Sequence, residues 1–226
     1  MSIKPILMNT EMVRALLDGR KTVTRRVIKG LPLCGPHAVV DEDRLWIEDE
    51  YGEFYPAEVF SPYRPGDILY VRETWRVWRA HRYDANADVQ FKAGGDGVRV
   101  CFANGGTDSI DREDYDRFVE KWYPNGRWRP SVHMPREAAR IFLQVTDVRA
   151  ERLQDITVND LQSEGIVPAG YLSQYAVMTE ADGWLDHFKE IWDSTIKPAD
   201  RERYGWAASP WVWVIEFERC EKPEEG

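Results

Sequence analysis

The stretch Pro65 to Trp75, PGDILYVRETW, limits the fold more than any other part of the chain. Pro65, Gly66 and Asp67 are turn residues, and strict alternation follows them. Leu69, Val71, Glu73 and Trp75 fall on one face of a strand, and Ile68, Tyr70, Arg72 and Thr74 on the other. The alternation aims the Glu73 carboxylate at the apolar side, where it needs a partner or a raised pKa. The alternative is a strand end at Glu73, from which the side chain reaches water.

Other segments fill in the pattern. TVTRRVI, Ile141 to Val148, and PWVWVIEFER read as further strands. The last is apolar on both faces up to Ile215, as a central strand is. Met12, Val13, Leu16 and Leu17 make a helical stripe capped by Asn9 or Thr10 and stopped by Gly19. Thr157 opens a short helix that Gly165 ends, and Trp184, Leu185, Phe188, Ile191 and Trp192 share one side of another. From Arg76 to Pro130 the pattern breaks into Gly, Asp, Asn and Arg, with VQFKA and VRVCFA as a hairpin. That region reads as an insertion on a compact core. Strands scattered along the chain, without long alternating helices, predict an α+β fold with a mixed or antiparallel sheet, or a small barrel.

Length and charge narrow the function. The 226 residues suit one substantial domain. A net charge of -9 and a pI of about 5.1 exclude a general duplex-DNA binder. Residues 1–30 run against the trend: Lys4, Arg14, Arg20, Lys21, Arg25, Arg26 and Lys29 face only Glu11 and Asp18. Such asymmetry steers an anionic ligand to one face. Three scattered cysteines and no CxxC predict a reducing, cytoplasmic setting without disulfides. Cys34 and His37 in CGPH have a two-ligand spacing, but no second pair accompanies them, so neither metal nor cofactor is expected. No apolar run approaches membrane length.

The octet GRKTVTRR (Gly19 to Arg26) holds the sharpest candidates. A lysine that loses its proton on desolvation can activate a hydroxyl, and Thr24 is a nucleophile only beside such a base. In a regular strand Lys21 and Thr24 face opposite sides, so Lys21 must still lie in the loop for both to meet one substrate. The plainer reading is a solvated cationic strand edge. In the insertion, Arg76, Arg79, Arg82, Arg99, Arg112, Arg117, Arg127 and Arg129 interleave with Trp78, Tyr83, Phe91, Phe102, Trp122, Tyr123 and Trp128, while the acids of DSIDREDYD (Asp108, Asp111, Glu113, Asp114 and Asp116) count against a basic patch. Arginines among aromatics suit single-stranded nucleic acid; the alternative is that these rings cover the insertion's own small core. His133 is a lone histidine that could line a cleft.

These blocks resemble a known family. GRKTVTRR matches the ASCH signature G-x-K-x-x-[TE]-x-R at Gly19, Lys21, Thr24 and Arg26. PGDILYVRETW is similar to the family's second block, and PWVWVIEFER to its closing strand. Outside 76–125 nearly the whole chain looks like ASCH proteins of the phage and prophage type. The resemblance implies a PUA-like α+β fold: a small mixed β-barrel with flanking helices and one inserted segment, in a single domain over 1–226. It implies a cleft for RNA or a modified nucleoside. It also implies, from one bacterial branch, hydrolysis of an acylated cytidine, with Thr24 as nucleophile, Lys21 as its base and Glu73 as proton shuttle. Arg26 would hold an oxyanion, a phosphate or the base carbonyl, and Arg25, Arg72, Trp75, Arg76 and His133 complete the ligand-binding candidates. That branch is much shorter and has nothing like 76–130, so the pocket does not carry over with the triad. The alternatives are a non-catalytic reader of RNA or modified bases, a ribonuclease, and a phage interaction protein that binds a host factor through its tryptophans.

Overall fold

A computed structural model describes residues 1–29, 38–41, 44–48, 51–102, 112–123, 126–167 and 180–223. CGPH and the ANGGTDS turn lie outside them. In chain order the elements are β1 (Ile3–Leu7), α1 (Thr10–Leu17), β2 (Val23–Val27), β3 (Ala38–Asp41), β4 (Arg44–Glu48), β5 (Phe54–Pro56), β6 (Ile68–Arg72), β7 (Trp75–His81), β8 (Asn86–Phe91), β9 (Val98–Cys101), α2 (Arg112–Trp122), β10 (Phe142–Arg152), α3 (Val158–Ser163), α4 (Glu180–Thr195), α5 (Arg201–Tyr204) and β11 (Trp211–Cys220). The fold is mixed α+β and rich in sheet. Among the described residues the strands form open ladders, with no closed barrel. No helix there is long and apolar enough to cross a membrane.

The chain divides into two compact units. The first holds Met1–Leu17, Ile68–Gln144 and Arg219–Gly226. Here β1 pairs parallel with β6, Ile3 opposite Ile68, and β6 pairs antiparallel with the start of β10, Phe142 opposite Tyr70. Leu69, Val71, Glu73 and Trp75 are all buried, as the alternation predicts, although β6 ends at Arg72 and β7 begins at Trp75. β7, β8 and β9 form an antiparallel sheet whose inner face packs Trp75, Val77, Val89, Phe91 and Val100 with Met134 and Phe142.

No clear periodicity in the sequence announces the helix α2. Its polar surroundings hide a stripe of Tyr115, Phe118 and Trp122, spaced to share one face. Trp122 meets Trp75 edge-on at 5.3 Å, and Phe102 lies 5.1 Å from Phe118. Asn9 caps α1 by accepting a hydrogen bond from the Met12 N–H at 2.8 Å.

The second unit holds Asp18–Asp67 and Val145–Glu218. β10 continues beside β11, and β11 pairs antiparallel with β2, Val27 opposite Val212 and Val23 opposite Glu216. Trp211 to Ile215 are buried on both faces, as expected of a central strand. Leu153, Leu161, Phe188, Trp192, Val212 and Val214 form the core beneath α3 and α4. Thr157 and Asp160 close a capping box at the start of α3, and Gly165, at φ 77°, takes the left-handed turn after it. β3, β4 and β5 make a separate antiparallel sheet that the sequence reading does not contain.

Leu69 is fully buried where β6 lies between β1 and β10. Leu69→Ala is expected to lower unfolding free energy by about 2–5 kcal/mol in urea denaturation.

Candidate functional site

Lys21 stands just before β2, in an isolated bridge to Glu164. Strand alternation therefore does not govern it. Its ammonium donates to Glu164 Oε2 at 2.5 Å, to the Glu164 carbonyl at 3.1 Å and to the Val23 carbonyl at 2.7 Å. Three donors meet three acceptors, and none of these bonds goes to Thr24. Burial pushes the Lys21 amine below its ordinary value, while the charge and hydrogen bond of Glu164 push it back up. Thr24 is fully buried, and its hydroxyl accepts from Arg26 Nη1 at 3.1 Å. Burial likewise lowers the half-buried Arg26 guanidinium, opposed by Tyr63 and Glu164.

Arg25 corrects an expectation. Offered as a ligand-binding residue, it is 2% exposed and bound by carboxylates. It reaches Glu164 Oε1 at 3.3 Å, Glu151 Oε2 at 3.4 Å and Asp160 Oδ1 at 3.4 Å. Arg149 joins the network through Glu151, Glu216, Asp147 and Asp160. Lys21, Arg25 and Arg149 thus face five carboxylates. The cations of the octet are largely neutralised from within.

Glu73 belongs to the first unit, and its cation is an arginine. Arg140 holds it in a two-pronged fork, Nε to Oε1 at 2.8 Å and Nη2 to Oε2 at 2.9 Å. The Glu73 N–H donates to the Met134 sulfur at 3.2 Å. Burial pushes the Glu73 carboxyl above its ordinary value, and the hydrogen bond and charge of Arg140 pull it down. Arg140 also lies over the Phe91 ring at 4.1 Å and donates to the Asp96 carbonyl at 2.9 Å. Lys21, Thr24, Arg25 and Arg26 are thus gathered with Glu164 in one unit, and Glu73 with Arg140 in the other.

The remaining candidates lie in the first unit. Trp75 is 0% exposed and is a core residue rather than a ligand platform, because it sits on the apolar face that alternation assigns it. Arg72 donates to the Val132 carbonyl. His133 is exposed, with its ring 6.3 Å from Trp122.

Arg76 opens a different site, on the outer face of β7–β9. Its Nε and Nη2 donate to Gln90 Oε1 at 3.2 and 2.8 Å. Its guanidinium lies 4.6 Å from the Trp128 ring and 5.6 Å from the Trp78 ring. Both indoles are open to solvent, at 52% for Trp78 and 40% for Trp128. Trp78 is the surplus residue of a β-bulge: Val77 pairs with Val89 and Arg79 with Asp88. The ladder closes without it, and such bulges re-aim side chains. A cavity of about 760 Å³ opens beside the indoles, lined also by Gln90, Asp88, Arg99 and the Gly94–Gly97 turn. Among the described residues Arg76, Arg79 and Arg127 have no carboxylate partner. Of the insertion's aromatics, Phe91, Phe102 and Trp122 cover its core, while Trp78, Tyr83, Tyr123 and Trp128 are exposed. Sequence reasoning missed Glu164, Arg140 and Gln90, since each acts on a residue distant in the chain or across a ladder.

Removing Glu164 leaves Lys21 and Arg25 buried without their shared carboxylate. Glu164→Ala is expected to cost about 3–5 kcal/mol in denaturant unfolding, and Glu164→Gln, which restores shape without charge, to recover only part. Burial alone would raise the carboxyl of Asp160, but hydrogen bonds from Thr157 and the Arg25 charge hold it below its ordinary 3.8. Such a carboxylate stabilises the fold fully above its unfolded value, and that contribution is lost as pH falls through the lower folded value. Below pH 3.8 the wild type should therefore lose stability faster than Asp160→Asn; parallel curves would refute this.

No family model, curated protein or solved structure matches the chain.

Proposed function

We propose that this protein binds single-stranded RNA or a modified nucleoside, as a PUA-like protein of the ASCH kind, with the outer face of β7–β9 as its contact surface. One observation carries the reading: two solvent-exposed indoles flank an arginine, Arg76, that has no carboxylate partner among the described residues. Unstacked bases need flat apolar platforms, and phosphates need uncompensated positive charge. Residues 75–101 carry five basic side chains against three acidic ones, within a chain of net charge -9. This segment thus runs against the acidic excess of the whole chain, which suits it to a polyanion.

The resemblance also implies hydrolysis of an acylated cytidine, with Lys21 as base. Lys21 donates to three acceptors, the bonding of an ammonium, and this favours binding over hydrolysis. Turnover of acylated cytidine that disappears in Lys21→Ala would reverse the order.

Fluorescence anisotropy with a labelled single-stranded RNA tests the binding reading. Trp78→Ala and Trp128→Ala should each weaken binding about fivefold to a hundredfold, since a stacked base is worth about 1–3 kcal/mol. The logarithm of the affinity should fall linearly with the logarithm of salt concentration. Binding indifferent to salt and to both substitutions would reject the reading.

A further inference from the structure

Beside the two indoles, the cavity on the outer face of β7–β9 offers hydrogen-bond donors that are held in place and have no further partner among the described residues. Asp88 is engaged on both oxygens: Oδ1 accepts from Arg99 Nε at 2.8 Å, and Oδ2 lies 2.7 Å from His81 Nε2. That bond steadies Arg99 while leaving its two terminal nitrogens without a partner among the described residues. Gln90 is fixed in the same way. Arg76 occupies its Oε1 twice, so the amide nitrogen is the end left for a ligand. The wall formed by Gly94, Gly95 and Gly97 adds no side chains. At Gly97 a Cβ would stand 2.6 Å from the Val89 carbonyl, so the turn lies tight on the sheet and leaves the space open. The cavity's 760 Å³ lies within the usual range for small-ligand sites.

A steadied arginine fork wants two adjacent acceptors. Guanine presents O6 and N7 side by side with no donor between or beside them on that edge. Adenine sets a donor amine next to N7, uracil separates its carbonyls with an N–H, and cytosine's adjacent acceptors N3 and O2 share their edge with its donor amine, which a further donor from Gln90 would oppose. We propose that this cavity selects guanine within single-stranded RNA. Arg99 is its specificity-determining residue at O6 and N7, Gln90 supplies a third donor, and Trp78 and Trp128 provide the stacking surface. The assignment rests on the RNA-binding reading and adds the base that is read.

The experiment compares labelled RNAs identical except at one central position, occupied in turn by guanine, adenine, cytosine, inosine or 7-deazaguanine. The expected result is binding about tenfold to a hundredfold tighter for guanine than for adenine or cytosine. Inosine, which keeps O6 and N7, should match guanine, and 7-deazaguanine should fall to the level of adenine. Arg99→Gln should bring the ratio of guanine to adenine affinity to about one. Asp88→Asn, which removes the carboxylate that orients Arg99, should reduce the same ratio. Arg99 is exposed, and thermal unfolding monitored by circular dichroism checks that both variants remain folded. Equal affinity for all central bases, full affinity for 7-deazaguanine, or a ratio that persists in Arg99→Gln overturns the guanine assignment and leaves the RNA reading standing. Failure of every RNA to bind overturns both.

Discussion

The fork of Arg140 on Glu73 is the interaction on which the first unit hangs. A carboxylate that is 1% exposed costs several kcal/mol unless a cation meets it with good geometry. Arg140 meets it with two hydrogen bonds and spends its remaining reach on the ring of Phe91 and the carbonyl of Asp96. One guanidinium therefore ties the break between β6 and β7 to the end of β8 and the glycine turn beyond it. That turn is a wall of the cavity. At Gly95 a Cβ would come 2.8 Å from Arg140 Nη1, so the turn closes on the arginine only because this position has no side chain. The outer face of β7–β9 is as firm as that buried pair makes it.

The second unit solves the same problem differently. Lys21, Arg25 and Arg149 share five carboxylates, some buried and some half-exposed. A run of cations in sequence suggests a positive surface, but charge read along a chain is not charge presented to solvent. Glu164, Glu151 and Asp160 come from other stretches and absorb most of it. In the hairpin, by contrast, Arg76 is satisfied by a neutral amide and has no carboxylate partner among the described residues.

Local rules were enough for some of this. Alternation in PGDILYVRETW placed Glu73 among buried side chains, and the same rule, followed one step further, would have put Trp75 in the core. The two-sided apolarity of Trp211 to Ile215 marked a central strand. Thr157 and Gly165 bracketed α3. What stayed hidden depends on partners far apart in sequence: Arg140 lies 67 residues beyond Glu73, and Glu164 lies 143 beyond Lys21. No periodicity announces such pairs. α2 was concealed because its apolar stripe is thin among charges, and tertiary contacts with Trp75 and Phe102 supply what propensity does not. The aromatics of the insertion divided between core and surface, a split that composition cannot assign.

The bulge in β7 has a bearing on how such a surface changes over generations. Because Trp78 is the one residue the pairing does not count, its codon can be lost, duplicated or exchanged while every ladder bond on either side keeps its mate. The hairpin is thus a display rail with a removable fitting, and close relatives should differ in what they mount there well before they differ in the strands that carry it.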